Sequence, residues 1–533
     1  MLLQQIDRWA DLAPLRLAHR NRKQALTYLD LKKYSDALSV WLILNVGSDP
    51  QKSSPIVIYG HKQSEMLVLF LACLKAGHPY IPIDVSVPPE RLLKIIESSK
   101  AAAILSPLCL PEAVKTRRIV WREDLTLQTM LALSSQNTRP QSQRQIDLDD
   151  VWYIIFTSGS TGVPKGVQIT RQALENFINW INGEYKPREE EIFLNQAPFS
   201  FDLSVMDIYM ALSSGGTLWS IDQEQITNGK ALFESLGESQ ISYWISTPSF
   251  IELCLMDPSF TDKLLPKLRY FLFCGEILPN DTALHLLERF PQAQVINLYG
   301  PTECTVAVCG VQITPEIAGR SEPLPVGQST ANCQIYIYPP ETLDALTTGA
   351  QTRNASLEVL PPGEKGEIVI AGPNVSIGYL NRPELSKQAF FSWDEGGKSQ
   401  RAYRTGDIGY WLNGQLYYLG RRDFQIKLHG FRIELGEIEE QLRKLPEVKK
   451  AVVLPLERRG KNAALQAWII LDKHPKVSGL AAQKLGQQLR RKLGQVLPAY
   501  MLPQRYLFID KVPLTGNGKV DRQALQGGHY DPL

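Results

Sequence analysis

VWYIIFTSGSTGVPKGV, residues 151–167, sets two textures side by side. Val151–Phe156 is a run of β-branched and aromatic residues of the kind that forms a buried strand. From Thr157 to Gly166 the chain changes to three glycines, four hydroxyl residues and one lysine. Glycines let successive backbone N–H groups converge on an anion, and Ser158, Ser160 and Thr161 add hydroxyl donors. Lys165 supplies a charge, and Pro164 fixes the chain just before it. The loop is not a Walker A motif, which needs glycine directly before its lysine and Ser or Thr directly after; here Pro164 precedes Lys165 and Gly166 follows. Read alone, the stretch is a phosphate loop or a flexible Gly/Ser connector.

Working outward, strand-like runs alternate with amphipathic helices through the first four hundred residues. SPIVIYG precedes KQSEMLVLFLACLKAG, EIFLNQAP precedes DLSVMDIYMALSSGG, ISYWIST precedes PSFIELCLM, and LRYFLFCGE leads through PNDTALHLLERF to AQVINLYG. Such alternation predicts an α/β fold of layered helices around largely parallel sheets. Residues 134–145 and 341–358 read as surface insertions, and the sequon at 354–356 as a chance match. Near residue 420 the texture shifts to hairpin-like strands, a charged amphipathic helix and a small α+β unit. The expected division is a large N-terminal core, 1–422, and a small C-terminal lid domain, 423–533.

A length of 533 residues exceeds what one hydrophobic core supports, in line with two domains. A net charge of +2 gives no electrostatic reason to expect a nucleic-acid partner. The seven cysteines form no CxxC pair, which argues against a disulfide framework or zinc site and suits a reducing cytosol. The start MLLQQIDRWADLAP carries Gln4, Gln5, Asp7 and Arg8 and is no signal peptide. The most apolar run, MLVLFLACLKAG, is stopped by Lys75 well short of the ~20 residues a membrane span needs. A soluble cytoplasmic protein without membrane insertion is expected.

Further blocks follow the loop in order: NLYGPTE (297–303), GEIVIAGPNVSIGYL (366–380), YRTGD (403–407), GRRDFQIKLHGFRIELGEIE (420–439) and NGKVD (517–521). With YIIFTSGSTGVPKGV they resemble the adenylate-forming superfamily of acyl-CoA synthetases, luciferases and peptide-synthetase adenylation domains, across essentially the whole chain. The resemblance implies attack of a carboxylate on the α-phosphate of ATP, with release of pyrophosphate. It implies nucleotide contacts from Thr157, Ser158, Gly159, Ser160, Thr161, Gly162, Lys165, Asn297, Tyr299, Gly300, Asp407 and Arg421. Tyr299 would pack on the adenine, Asp407 hold the ribose, Thr302 meet the α-phosphate and Glu303 bind Mg²⁺. Asp423 would be the hinge. Lys519 would be the catalytic lysine, contacting the substrate carboxylate and the α-phosphate. The bland readings are a turn for GPTE, a boundary salt bridge for Arg421 and a surface lysine for Lys519. Arg422 sits in a variable slot and carries no role.

APFSFDLSVMDIY places Asp202 at the start of a helix. In amino-acid-activating members the matching aspartate pairs with the substrate ammonium; the alternative is a simple helix cap. Finer blocks, among them FLFCGEILPN and WISTPSF, resemble the stand-alone D-alanine–carrier-protein ligases. That branch implies a substrate pocket formed by Asp202, Phe201, Cys274, Gly275 and Leu298, although a buried cysteine is by itself ordinary core. Leu298 and Cys304 stand where the branch carries a smaller pair, so the expected pocket is tight, with glycine slightly favoured over D-alanine. Related Gram-negative ligases activate glycine for lipid A. No carrier domain with a phosphopantetheine serine follows DRQALQGGHYDPL, so a separate phosphopantetheinylated carrier protein is the expected acceptor, in lipid A or teichoic acid decoration. The region around Gly430 would serve transfer, and His429 reads as a strand residue rather than a base. The competing readings are an acyl-CoA synthetase, a peptide-synthesis enzyme for another small amino acid, and a catalytically dead nucleotide-binding protein.

Overall fold

Ile56–Gly60, Tyr80–Asp84 and Ala103–Leu105 are strands in which every residue is buried. That is the pattern of strands covered on both faces, and they pair in parallel, with Ile56 opposite both Tyr80 and Ala103. The coordinates are a computed structural model describing all residues except 47–53, 118, 135–145, 160–162, 348–357, 396–397, 459–460, 473–476, 514–519 and 527–533. By internal packing, residues 1–85, 96–156 and 166–422 form one unit, and residues 86–95, 157–165 and 423–533 a second.

In the first unit a six-stranded sheet holds the strands just named. Helix Ser64–Lys75 beside it is buried from Ser64 through Leu74. A helix apolar on all sides belongs in an interior, and this accounts for the apolar run around Leu69. Among the described residues no helix is long and apolar enough to cross a membrane.

A nine-stranded sheet carries Ile192–Asn195, Thr217–Ser220, Tyr243–Ser246, Tyr270–Phe273 and Gln294–Tyr299 in parallel. Cys309–Ile313 pairs antiparallel with the last of them. Parallel sheets place ligand sites at the carboxyl ends of their strands. Asn195, Phe273 and Tyr299 are the last residues of three such strands, so segments 196–202, 274–275 and 300–306 emerge on one edge. Helix Leu203–Ser214 follows the first segment and ends at Gly215, whose φ of +76° favours glycine. An added Cβ there would also lie 2.7 Å from the Trp9 ring.

A third, antiparallel sheet joins Gln334–Tyr338, Gly366–Ala371, Phe390–Glu395, Lys398–Leu412 and Gln415–Arg421. The expected surface insertion at 341–358 departs from a plain loop, since Pro340–Thr347 is helical. Its residues 348–357, sequon included, lie outside the described residues, as do 135–145.

In the second unit Val448–Arg458 and Lys461–Leu471 pair antiparallel, with Arg505–Phe508 added in parallel. Helices Leu435–Arg443 and Gly479–Leu493 cover this sheet through Leu435, Ile438, Leu442, Leu489 and Leu493, all buried. The hairpin Gln425–Leu428/Phe431–Glu434 turns through His429 and Gly430. Both have positive φ, 51° and 81°, as a two-residue turn matching the twist of its strands requires. The strand reading of His429 is thereby corrected: it is an exposed turn residue.

Candidate active site

Asp407, the last residue of YRTGD, lies on strand Lys398–Leu412 opposite Arg421, and the register sets their side chains together. Arg421 Nη1 donates to Asp407 Oδ1 at 2.8 Å, and the Tyr299 hydroxyl donates to Asp407 Oδ2 at 2.6 Å. The pair is nearly closed to solvent, with 9% and 4% of the two side chains exposed. Burial, and then the Asp407 charge, push the Tyr299 phenol well above its ordinary value, so it remains a donor. Three residues picked from separate sequence blocks thus meet at one carboxylate. Arg421 does form the salt bridge of its bland reading, and it forms it with the residue expected to hold the ribose.

Beyond Tyr299, Gly300 passes so close to the next turn that an added Cβ would fall 2.6 Å from Ala307 Cα. Asn297 is buried, and its Nδ2 donates to the Pro325 carbonyl at 2.8 Å. Thr302, Glu303 and Cys304 form a short 3-10 turn and are buried. Glu303 Oε1 accepts the Tyr379 hydroxyl at 2.8 Å, a contact between blocks that sequence reading did not pair. Arg422, given no role, donates to Asp344 at 2.6 Å in a cluster with Arg404 and Glu367.

The other end of the edge is apolar and tight. Cys274 follows strand Tyr270–Phe273, and its thiol donates to the Val306 carbonyl at 3.6 Å. Thr305 and Val306 both have positive φ, 58° and 68°. For a β-branched residue such as Val306 that is a strained conformation, held here by the Thr305 hydroxyl on the Asn374 carbonyl at 2.8 Å. Gly275, at φ +95°, turns the chain away behind Cys274. Phe201 and Leu298 pack into the same core as Cys274 and Val306.

Asp202 occupies the N-cap position of helix Leu203–Ser214, yet its side chain makes no capping hydrogen bond. The helix-cap reading is therefore not what the structure shows. The Asp202 charge also acts on Tyr153, whose phenol is pushed well above its ordinary value by burial and then by Asp202. The Tyr153 hydroxyl is buried without a hydrogen-bond partner among the described residues.

Leu298 and Cys304, the expected bulkier lining, fall in different clusters of the core. Leu298 lies opposite Gly310, where an added Cβ would sit 2.5 Å from Leu298 Cδ2, so its bulk rests over a strand position with no side chain. Cys304 lies in a different core, with Val308, Cys309 and Ile335.

Within the second unit, Thr157 Oγ1 is buried without a partner among the described residues. The Ser158 hydroxyl donates to the Arg432 carbonyl at 2.8 Å, the Gly159 N–H donates to Glu437 at 3.2 Å, and Lys165 lies 3.7 Å from Glu434. One amide of this loop, that of Gly159, thus donates to a carboxylate. The Asp423 carboxylate accepts the Gln425 N–H at 3.2 Å. Ser160, Thr161, Gly162 and Lys519 lie outside the described residues.

Among the described residues no group of three His, Cys, Asp or Glu side chains is placed to hold a metal. One buried carboxylate, Glu303, nonetheless fits a magnesium ion of the kind that takes its remaining ligands from substrate phosphates and water.

Residues 6–380 match the family model "AMP-binding enzyme", and residues 437–519 match "AMP-binding enzyme C-terminal domain". The chain is 44% identical over 524 residues to the D-alanine–D-alanyl carrier protein ligase of Bacillus cereus (strain B4264), covering 98% of each chain. The same identity and coverage hold for the ligase of that name from Bacillus thuringiensis (strain Al Hakam). Among solved structures, PA1221, described as a nonribosomal peptide synthetase protein with adenylation and PCP domains, is 25% identical with a TM-score of 0.76, covering 100% of this chain and 98% of that one. The Vibrio cholerae adenylation domain AlmE, solved with glycyl-adenosine-5'-phosphate, shares the fold at 24% identity and a TM-score of 0.80, covering 99% and 97%. The chain belongs to the AMP-binding, adenylate-forming enzyme family.

Proposed function

We propose that the protein activates D-alanine with ATP and loads it onto the phosphopantetheine thiol of a separate carrier protein. In the first step a carboxylate oxygen of the amino acid attacks the α-phosphorus, the bond to the bridging oxygen of the β-phosphate breaks, and pyrophosphate leaves. In the second, the carrier sulfur attacks the acyl carbon, the bond to AMP breaks, and the thiol proton passes to solvent. Such transfers need positioning and charge neutralisation more than covalent help from the protein. Magnesium, when bound beside Glu303, supplies positive charge to the phosphates.

The observation that carries this reading is Asp202: a carboxylate at a helix start that does not cap the helix, next in sequence to Phe201, which packs against the core that holds Cys274, Val306 and Leu298. A charged anchor next to a small apolar wall suits an α-ammonium with a small side chain. D-alanine is preferred to glycine because Leu298 rests over Gly310, and because relatives 44% identical carry that substrate in their names. We place the enzyme in the cytoplasm, where ATP is made and where its seven free cysteines stay reduced.

ATP–pyrophosphate exchange with D-alanine, glycine, L-alanine and β-alanine tests the assignment. D-alanine should lead, with glycine about 10–200-fold lower in kcat/KM for its missing methyl. Glycine turnover equal to or above that of D-alanine overturns the preference, and exchange only with a large L-amino acid overturns the small-pocket reading. A second expectation concerns the nucleotide. Asp407→Ala removes a charge-assisted acceptor for the ribose and leaves Arg421 without its 2.8 Å partner. KM for ATP should rise by about 10–100-fold with KM for D-alanine little changed, and the melting temperature should fall.

A further inference from the structure

Segment 195–202, which delivers Asp202, leaves the sheet at Asn195 and is held from beneath by a buried lysine. Lys62 is only 3% exposed. Its Nζ donates to Asn195 Oδ1 at 2.5 Å and to the Ala197 carbonyl, and lies 4.7 Å from the centre of the Phe199 ring. One ammonium therefore touches three alternate residues of the segment. Asn195 in turn donates through Nδ2 to both oxygens of Asp207, at 3.0 and 3.1 Å, and accepts the Ser220 hydroxyl at 2.7 Å.

His19 closes the network, with Nε2 2.9 Å from Ser220 Oγ and Nδ1 2.8 Å from Ser64 Oγ. Burial, and then the Lys62 charge, lower His19 to about 3, so its ring is neutral. Since Ser220 gives its proton to Asn195, the ring donates through Nε2 and accepts at Nδ1. The charges facing Lys62 are Asp207 from the helix after the segment, Asp84 at the end of its strand and Asp222. Burial pushes the Asp207 carboxyl well above the usual carboxylate range against the pull of the Lys62 charge, so this lysine and aspartate, joined through one amide, need a fully bonded interior.

We propose that Lys62 is a positioning residue for amino-acid activation, fixing segment 195–202 so that Asp202 meets the substrate ammonium. This rests on the assignment of Asp202 as the amine anchor. Lys62 itself does not touch substrate; it acts through the Ala197 carbonyl and the Phe199 ring. Burial lowers Lys62 to about 7, so the cation over Phe199 is present below that pH and is lost as pH rises through it. KM for D-alanine should therefore climb between pH 6 and 8.5 in the wild type.

The test is ATP–pyrophosphate exchange with Lys62→Met and, should that variant not fold, with Phe199→Leu, which removes the ring and keeps an apolar side chain. KM for D-alanine is expected to rise about tenfold or more in Lys62→Met and about threefold in Phe199→Leu, with KM for ATP and the saturated rate within about twofold. The pH dependence of KM for D-alanine should flatten in Lys62→Met. Wild-type exchange accompanied by an unchanged KM for D-alanine in the folded variant, or by a parallel rise in KM for ATP, overturns the role of Lys62. Wild-type protein that exchanges with no amino acid overturns the anchor assignment on which the role stands.

Discussion

Asp202→Asn is expected to lower kcat/KM for D-alanine by about 10²–10⁴-fold while KM for ATP stays within a few-fold. Truncating one partner of a desolvated charge pair costs about 3–5 kcal/mol, and each ~1.4 kcal/mol is a factor of ten. Asparagine keeps the size and one acceptor oxygen but loses the charge, so it isolates the ion pair from the packing. The variant also separates the two roles open to this residue. An N-cap side chain replaced by a weaker one costs about 0.5–2 kcal/mol of stability. Because the Asp202 carboxylate makes no capping bond, the melting temperature should hold as activity falls. A variant that loses stability while keeping its KM for D-alanine restores the helix-cap reading. Steady-state exchange and a thermal melt on the same preparation decide it.

The layout of the fold was legible because its signals are local. Buried strands such as Ile56–Gly60 announce themselves by unbroken apolar runs, and the buried helix Ser64–Lys75 by an apolar surface with no polar face. The meeting of Tyr299, Asp407 and Arg421 followed from motif matching, although the hydrogen bonds joining them depend on strand register. What stayed hidden depends on register and on long-range pairing. Leu298 reads as bulk added to a pocket until Gly310 is found opposite it on the neighbouring strand. Cys304 reads as its companion until the 3-10 turn places the thiol in another core. Lys62 sits in an ordinary-looking His-Lys dipeptide, and its partners Asn195 and Ala197 lie 133 and 135 residues away. No short-range pattern distinguishes such a lysine from a solvated one. Its signal is indirect: NQAPFSFD carries an asparagine and three aromatic or proline residues just ahead of Asp202.

Lys519→Ala is expected to cut the saturated exchange rate by about 10²–10³-fold, the scale seen when a charge-stabilising transition-state donor is removed. The physical case begins with the reaction, which drives an anionic carboxylate onto an anionic phosphate and concentrates charge on the oxygens around phosphorus. Cations already named are engaged elsewhere. Arg421 holds Asp407 at 2.8 Å, Lys165 lies 3.7 Å from Glu434, and Lys62 is buried against Phe199. A further positive charge is needed, and the lysine of NGKVD, set among turn-forming residues in the sequence, offers one. Because that charge matters most as the new bond forms, KM for ATP and D-alanine should each change by less than about tenfold while kcat collapses. Lys519→Arg should restore little, since a planar fork does not place a point charge where an ammonium does. Exchange that proceeds unchanged in Lys519→Ala removes the residue from the chemistry and moves the search to the remaining cations. A collapse of kcat with both KM values preserved identifies a group that favours the transition state over either bound substrate.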